Sequence, residues 1–228
     1  YREIPVFAIR NTVSGEEKKL RIRDISLDNH FSYRNGKIVY AALLPDLRWG
    51  WRDYGAIKIA DIHTGRQRTV TRKTKYFSPD ISSDGSRIVA VHAGADGGNE
   101  LHIISALSGE KLQSVPNPDA LIYTYPKFFK DNSIAAAVRN KSGEMALGIF
   151  NIATGEAQWL TPFGMQAIGY TQANGDTLCF TMSDGIQDRV YVAIKDKVFR
   201  FQPQYDNLFT GDYQLSLSDN KYALVSFT

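Results

Sequence analysis

The chain has 228 residues, 43% hydrophobic and 22% charged, with 27 Lys and Arg against 24 Asp and Glu for a formal net charge of +3. This balance excludes a disordered chain, and no apolar run is long enough to cross a bilayer as a helix. The single cysteine, Cys179, excludes an internal disulfide and, set in an apolar run, reads as a buried inert thiol.

The predicted elements are all strands. Residues 5–22 hold two of them, joined by Asn11-Thr12-Val13-Ser14-Gly15. A strand at 30–33 then turns through Asn35-Gly36 into the apolar run 38–42. An insertion at 43–55 leads to a strand at 56–60, the turn Asp61-Ile62-His63-Thr64-Gly65 and an alternating strand at 66–71. The same order returns with strands at 77–81, 87–91, 100–104 and 111–115, around Asp84-Gly85 and Ser105-Ala106-Leu107-Ser108-Gly109. It returns again at 124–128, 133–138, 145–150 and 156–161, around Asp131-Asn132 and Asn151-Ile152-Ala153-Thr154-Gly155. A fourth round runs through 168–171, Asn174-Gly175, 177–181, 189–193 and 197–201, and two last strands at 213–217 and 222–227 flank Asp219-Asn220.

Two turn series therefore share one period of 43 to 50 residues. Asn-Gly and Asp-Gly suit two-residue hairpins because both central positions need positive φ. Asp-Asn is a weaker form of the same chemistry. The second and third runs of each unit are near-continuously apolar, as for strands buried on both faces. The last run alternates, as for an outer strand with one wet face. Pro79 and Pro126 fall in the first run, where a missing ladder donor is tolerated only at an edge or strand start. No segment keeps apolar residues at helical spacing for ten residues.

Four strands in about 45 residues predict an all-β fold, a β-propeller of four-stranded antiparallel blades. The units are placed at about 26–75, 76–120, 121–166 and 167–208, with half blades at 1–25 and 209–228. The phase begins and ends within a unit. Either the halves join and close a five-bladed ring, or the chain is part of a six- to eight-bladed ring. The second is the expectation, because the first residue is Tyr1 rather than Met and five-bladed rings are the rarer solution.

Asp80-Ile81-Ser82-Ser83-Asp84-Gly85-Ser86-Arg87-Ile88-Val89-Ala90-Val91 resembles the blade repeat of the TolB-like propellers, Ser-Pro-Asp-Gly-x-x-Ile-Ala-Phe, with Ser83 at the usual proline. Leu217-Ser218-Asp219-Asn220-Lys221-Tyr222-Ala223 is a weaker copy, and the turn that leads to Leu160-Thr161 is similar to the family's blade ending. The Trp-Asp ending of WD repeats is absent. The resemblance implies a binding or scaffolding propeller of a periplasmic or surface protein. It also admits the non-catalytic propeller of a peptidase whose catalytic domain lies elsewhere in the parent chain.

The sequence holds no Gly-x-Ser-x-Gly elbow, no His-Glu-x-x-His and no phosphate-binding glycine loop, so no catalytic residue, cofactor or metal is assigned. His92 and His102 are placed to approach each other across a hairpin. The stretch at 66–75 (Arg66, Arg68, Arg72, Lys73, Lys75) reads as a solvated outer strand rather than a nucleic-acid patch. Function is expected where the repeat is broken. The first insertion gathers Arg48, Trp49, Trp51, Arg52, Asp53 and Tyr54, residue types that anchor binding hot spots, and Arg is expected to stack on the indoles while pairing with Asp46 or Asp53. It resembles a loop in TolB-like propellers of Bacteroidetes-type surface proteins. It reads either as a lid with its aromatics buried on the neighbouring blade or as a recognition surface for a protein, peptide or glycan. The second insertion, Gly94-Ala95-Asp96-Gly97-Gly98-Asn99-Glu100, reads as a glycine-rich hairpin, with a calcium site from Asp96, Asn99 and Glu100 as the alternative. Both insertions, with 140–144 and 184–188, are expected on one face.

Overall fold

The computed structural model describes residues 5–11, 13–26, 30–95, 97–130, 132–194, 197–200, 213–218 and 221–226. Among them there is no helix. Four four-stranded antiparallel sheets follow one another around a common axis as propeller blades. The first blade is β3 (Phe31–Arg34), β4 (Lys37–Pro45), β5 (Asp53–Asp61) and β6 (Gln67–Thr69). The second is β7 (Tyr76–Ile81), β8 (Arg87–Ala93), β9 (Asn99–Ser105) and β10 (Lys111–Ser114). The third is β11 (Ile122–Phe129), β12 (Ser133–Arg139), β13 (Met145–Asn151) and β14 (Ala157–Trp159), and the fourth is β15 (Ile168–Asn174), β16 (Thr177–Ser183), β17 (Asp188–Ile194) and β18 (Lys197–Arg200). Two further pairs, β1 (Val6–Arg10) with β2 (Glu17–Ile22) and β19 (Tyr213–Ser218) with β20 (Lys221–Ser226), stand as separate two-stranded sheets among the described residues.

The core lies between blades. Val89, Leu101 and Ile103 of the second blade pack on Tyr123, Ile134, Ala136 and Phe150 of the third, and Val39 and Ile57 of the first pack on Ile81, Ile88 and Ile104 of the second. Each buried Ile, Leu, Val or Phe contributes about 1.5–3 kcal/mol, which explains why the second and third strands are apolar on both faces. Ala135, Ala136 and Ala137 on β12 are fully buried, small side chains where neighbouring blades close in. Cys179 is buried on β16, and burial pushes its thiol up to about 12, which leaves it unreactive near neutrality.

The glycine turn has the same backbone hydrogen bonds four times. The first residue's backbone carbonyl accepts the glycine N–H at 2.9 Å in each copy, and its own N–H reaches the residue after the glycine. The side chains of Asn11, Asp61 and Asn151 accept two further backbone N–H groups, and Ser105 accepts one. Such Asx turns are local chemistry. The glycines take φ between 64° and 79°, and two of them also touch the preceding blade. A Cβ on Gly155 would lie 2.3 Å from the Pro116 carbonyl oxygen, whereas one on Gly15 would meet nothing within 4 Å. Gly155→Ala is therefore expected to cost about 1 kcal/mol more than Gly15→Ala, which suffers only left-handed strain. Equal losses in urea denaturation would refute the close approach.

Three expectations need correcting. Asn35-Gly36 is a two-residue hairpin with both φ positive (48° and 72°), but Asp84-Gly85 is not. There Ser82 N–H bonds the Arg87 carbonyl, and the Asp84 carboxylate accepts the Ser82 and Ser86 hydroxyls and the Ser86 N–H, which widens the turn. In the third blade Lys130, directly after the last pair, Phe129 with Ser133, takes the left-handed φ, and in the fourth the turn is displaced by a residue, Gly175 following directly on the last pair, Asn174 with Thr177. Asp131 and the pair Asp219-Asn220 lie outside the described residues. The outer strands are also shorter than the alternation predicts. β6 and β14 stop after three residues because the hydroxyls of Thr71 and Thr161 take over, accepting the N–H of Ile57 and Leu147 at 2.9 Å. Short edges limit unwanted strand pairing.

Candidate functional site

β4 and β5 are nine residues long, against seven in the corresponding strands of the second blade, so they carry the first insertion beyond its neighbours. Asp46 holds the loop. Its carboxylate accepts the N–H of Arg48 at 2.8 Å and of Trp49 at 3.1 Å and the Tyr54 hydroxyl at 2.9 Å. These bonds, the Arg48 N–H foremost, hold Asp46 below the usual carboxylate range, and the Asp46 bond raises Tyr54. The loop is thus ordered without burying its aromatics. Trp49 is 48% exposed and Trp51 81% exposed, their rings 6.0 Å apart and inclined at 59°. Arg48 and Arg52 are exposed, and Asp53 and Tyr54 are half-buried at the strand start. The guanidinium of Arg52 lies 5.5 Å from the Tyr54 ring, so stacking goes to tyrosine and not to indole as expected.

The base of this loop is clamped to the second blade. Gly55 N–H donates to the Thr74 carbonyl and the Thr74 hydroxyl to the Gly55 carbonyl, each at 2.8 Å. A Cβ on Gly55 would lie 2.4 Å from the Tyr76 carbonyl oxygen. Arg72, Lys73 and Lys75, exposed on the connection to the second blade, therefore stand beside the aromatic loop. Behind them, Tyr76 Oη lies 3.0 Å from His102 Nδ1, and the His92 and His102 rings stack at 4.5 Å and 12°. Glu100 meets His102 Nε2 at 2.7 Å. Burial lowers the His102 pKa, opposed by Glu100. In the second insertion Asp96 is outside the described residues. Asn99 bonds the backbone of Tyr123, and Glu100 bonds His102. Among the described residues no group of three or more His, Cys, Asp or Glu is placed to hold a metal. The antiparallel order of every sheet opens the four loops between second and third strands on the same face.

The axis holds a second constellation that the sequence reading missed. Ser32, Asp80, Lys127 and Gln172 occupy one register position, opposite Val39, Val89, Ala135 and Cys179 on the second strands, and all four are buried. Bulges after Phe77, Thr124 and Gly169 turn the innermost strands there, with Ser78 and Tyr125 at positive φ before the two prolines. The Lys127 ammonium donates to Ser32 Oγ at 2.5 Å and lies 3.8 Å from Asp80. Asp80 also accepts the Phe128 N–H at 2.8 Å, with the Arg34 guanidinium at 3.9 Å. Arg34 donates across the axis to the Ala173 carbonyl at 2.6 Å. His30 lies between Tyr125 and Tyr170, its Nε2 buried without a hydrogen-bond partner among the described residues. The innermost strands of all four blades thus meet through side chains at this level.

No protein-family model matches the chain, and no curated protein matches it. Solved structures do. TolB from Acinetobacter baumannii superposes with a TM-score of 0.65 at 17% identity over 95% of this chain and 55% of its own. The β-propeller domain of the trilobed protease from Pyrococcus furiosus, described as having an open velcro topology, gives 0.56 at 12% over 87% and 62%. The acylaminoacyl peptidase of Pyrococcus horikoshii gives 0.52 at 11% over 77% and 32%. The chain thus spans a little over half the length of the first two. At these identities the likeness is one of architecture, and it agrees with the four-stranded blades: the chain has the TolB-like β-propeller fold.

Proposed function

We propose that this chain is a non-catalytic binding propeller, one segment of a larger exported bacterial protein, which docks a protein, peptide or glycan through the loop at 48–54. The observation that carries the reading is the exposure of Trp49 and Trp51 on a hairpin whose backbone is already ordered by Asp46. A preordered loop loses little entropy on binding, and tryptophan and arginine are the usual anchors of an interface. The cations at Arg72, Lys73 and Lys75 extend the surface along the same edge. Periplasm or cell surface is the compartment that goes with the TolB-like resemblance.

The test is a panel of purified glycans and peptides offered to the 228-residue chain. Trp49→Ala with Trp51→Ala is expected to weaken whatever binds at least about tenfold, with unchanged β-type circular dichroism. Undiminished binding would refute the loop as the site. The accessory propeller of a peptidase is the second reading, favoured by the likeness to the propeller of the trilobed protease. A hydrolase domain in the parent sequence would decide for it.

A further inference from the structure

A crevice of about 290 Å³ opens between the third blade and the connection that leads into it from the second. Its wall is aromatic. Tyr123 meets Phe150 edge-on at 5.1 Å, Phe150 meets Trp159 edge-on at 5.7 Å, and Trp159 is 40% exposed. Its rim is acidic, with Asp119 on one side and Glu156 on the other, and no Lys or Arg lines it. The rim is also preformed. Asn117 bonds both the N–H and the carbonyl of Leu121 at 2.9 Å, and Gly155 is pressed against Pro116.

Three features point to a ligand. Asp119 has no hydrogen-bond or ion-pair partner among the described residues, and Glu156 receives only the Thr154 hydroxyl, at 3.3 Å. In a chain with a formal charge of +3, two carboxylates facing one crevice without a cation is a local inversion of sign. Tyr123 is 1% exposed and lines the crevice, and its hydroxyl, not sealed from solvent, makes no hydrogen bond to the described residues. Burial raises Tyr123 to about 12, with the nearby Asp119 charge adding to it, so it stays a neutral donor and acceptor.

We propose that this crevice is a binding site for an organic cation, the guanidinium or ammonium of a basic peptide side chain. Carboxylates supply the countercharge, the Trp159 face attracts a cation through its ring quadrupole, and the Tyr123 hydroxyl, bonded to none of the described residues, can accept from it. The volume is at the lower end of ligand pockets, which suits one side chain rather than a larger molecule. The site lies two blade positions from the loop at 48–54 and stands or falls independently of it.

The test uses the 228-residue chain with Trp49→Phe and Trp51→Phe, which leaves Trp159 as the sole indole of the three. Its fluorescence is followed on addition of N-acetyl-arginine amide, N-acetyl-lysine amide and the uncharged isostere N-acetyl-citrulline amide. Saturable changes in the millimolar range are expected for the two cations, and binding about tenfold weaker for citrulline. Asp119→Asn with Glu156→Gln, at positions exposed enough to leave the fold intact by circular dichroism, is expected to remove that preference. Equal binding of arginine and citrulline, an unchanged preference in the double variant, or no saturable response up to about 50 mM would each overturn the proposal.

Discussion

Lys127→Met is expected to lower the unfolding free energy by about 3 kcal/mol, read as an earlier urea midpoint at unchanged slope. Methionine keeps most of the volume, so the loss isolates charge rather than packing. Lys127 is 1% exposed and its ammonium serves Ser32 of the first blade and Asp80 of the second. Removing it leaves a buried carboxylate that keeps one backbone N–H and a guanidinium 3.9 Å away. Breaking a buried pair from one side is costly, whereas neutralising both sides often is not. Lys127→Met combined with Asp80→Asn is therefore expected to recover at least half of the loss, and the cycle gives their coupling directly. A single Lys127→Met change within about 0.5 kcal/mol of the parent would show that the axial pair does not tie the blades together.

The contrast between the two constellations shows what a sequence can reveal about this fold. The glycine turns were legible because their chemistry is local: Asn11, Asp61 and Asn151 bond backbone groups two and three residues on, and the glycines need positive φ. The first insertion was legible because it breaks the period with residue types suited to binding. Its detail was not, since Arg52 found Tyr54 rather than an indole. The axial residues left no signal of either kind. Ser32, Asp80, Lys127 and Gln172 share a register position but no residue type, and Lys127 meets Ser32 across 95 residues of sequence. The bulges that bring them together alter only the pairing. The crevice beside the third blade was hidden for the same reason, because its two sides come from a connection and from the blade that follows it.

His30 supplies the second large effect. Acidification from pH 7 to 5 is expected to remove up to about 2 kcal/mol of stability through this one residue. His30 is 2% exposed, stacked on Tyr170 at 5.6 Å and tilted against Tyr125 at 4.9 Å. Burial first, and the Lys127 ammonium second, push its pKa well below the usual 6.5. The sign follows from which state takes the proton. Above about pH 6.5 both folded and unfolded chains carry neutral His30, and its contribution is fully present. As pH falls the unfolded chain is protonated first, so stability drops by up to about 1.4 kcal/mol per pH unit until the folded pKa is reached. His102, lowered by its own burial, adds in the same direction. Urea denaturation at pH 7, 6 and 5 reads the slope. His30→Gln, which cannot titrate, is expected to flatten it, and His102→Gln to flatten it further and additively, since the two side chains lie in different clusters. A His30→Gln profile parallel to the parent's would mean that the proton reaches His30 in the folded ring, and that the axis is open to water.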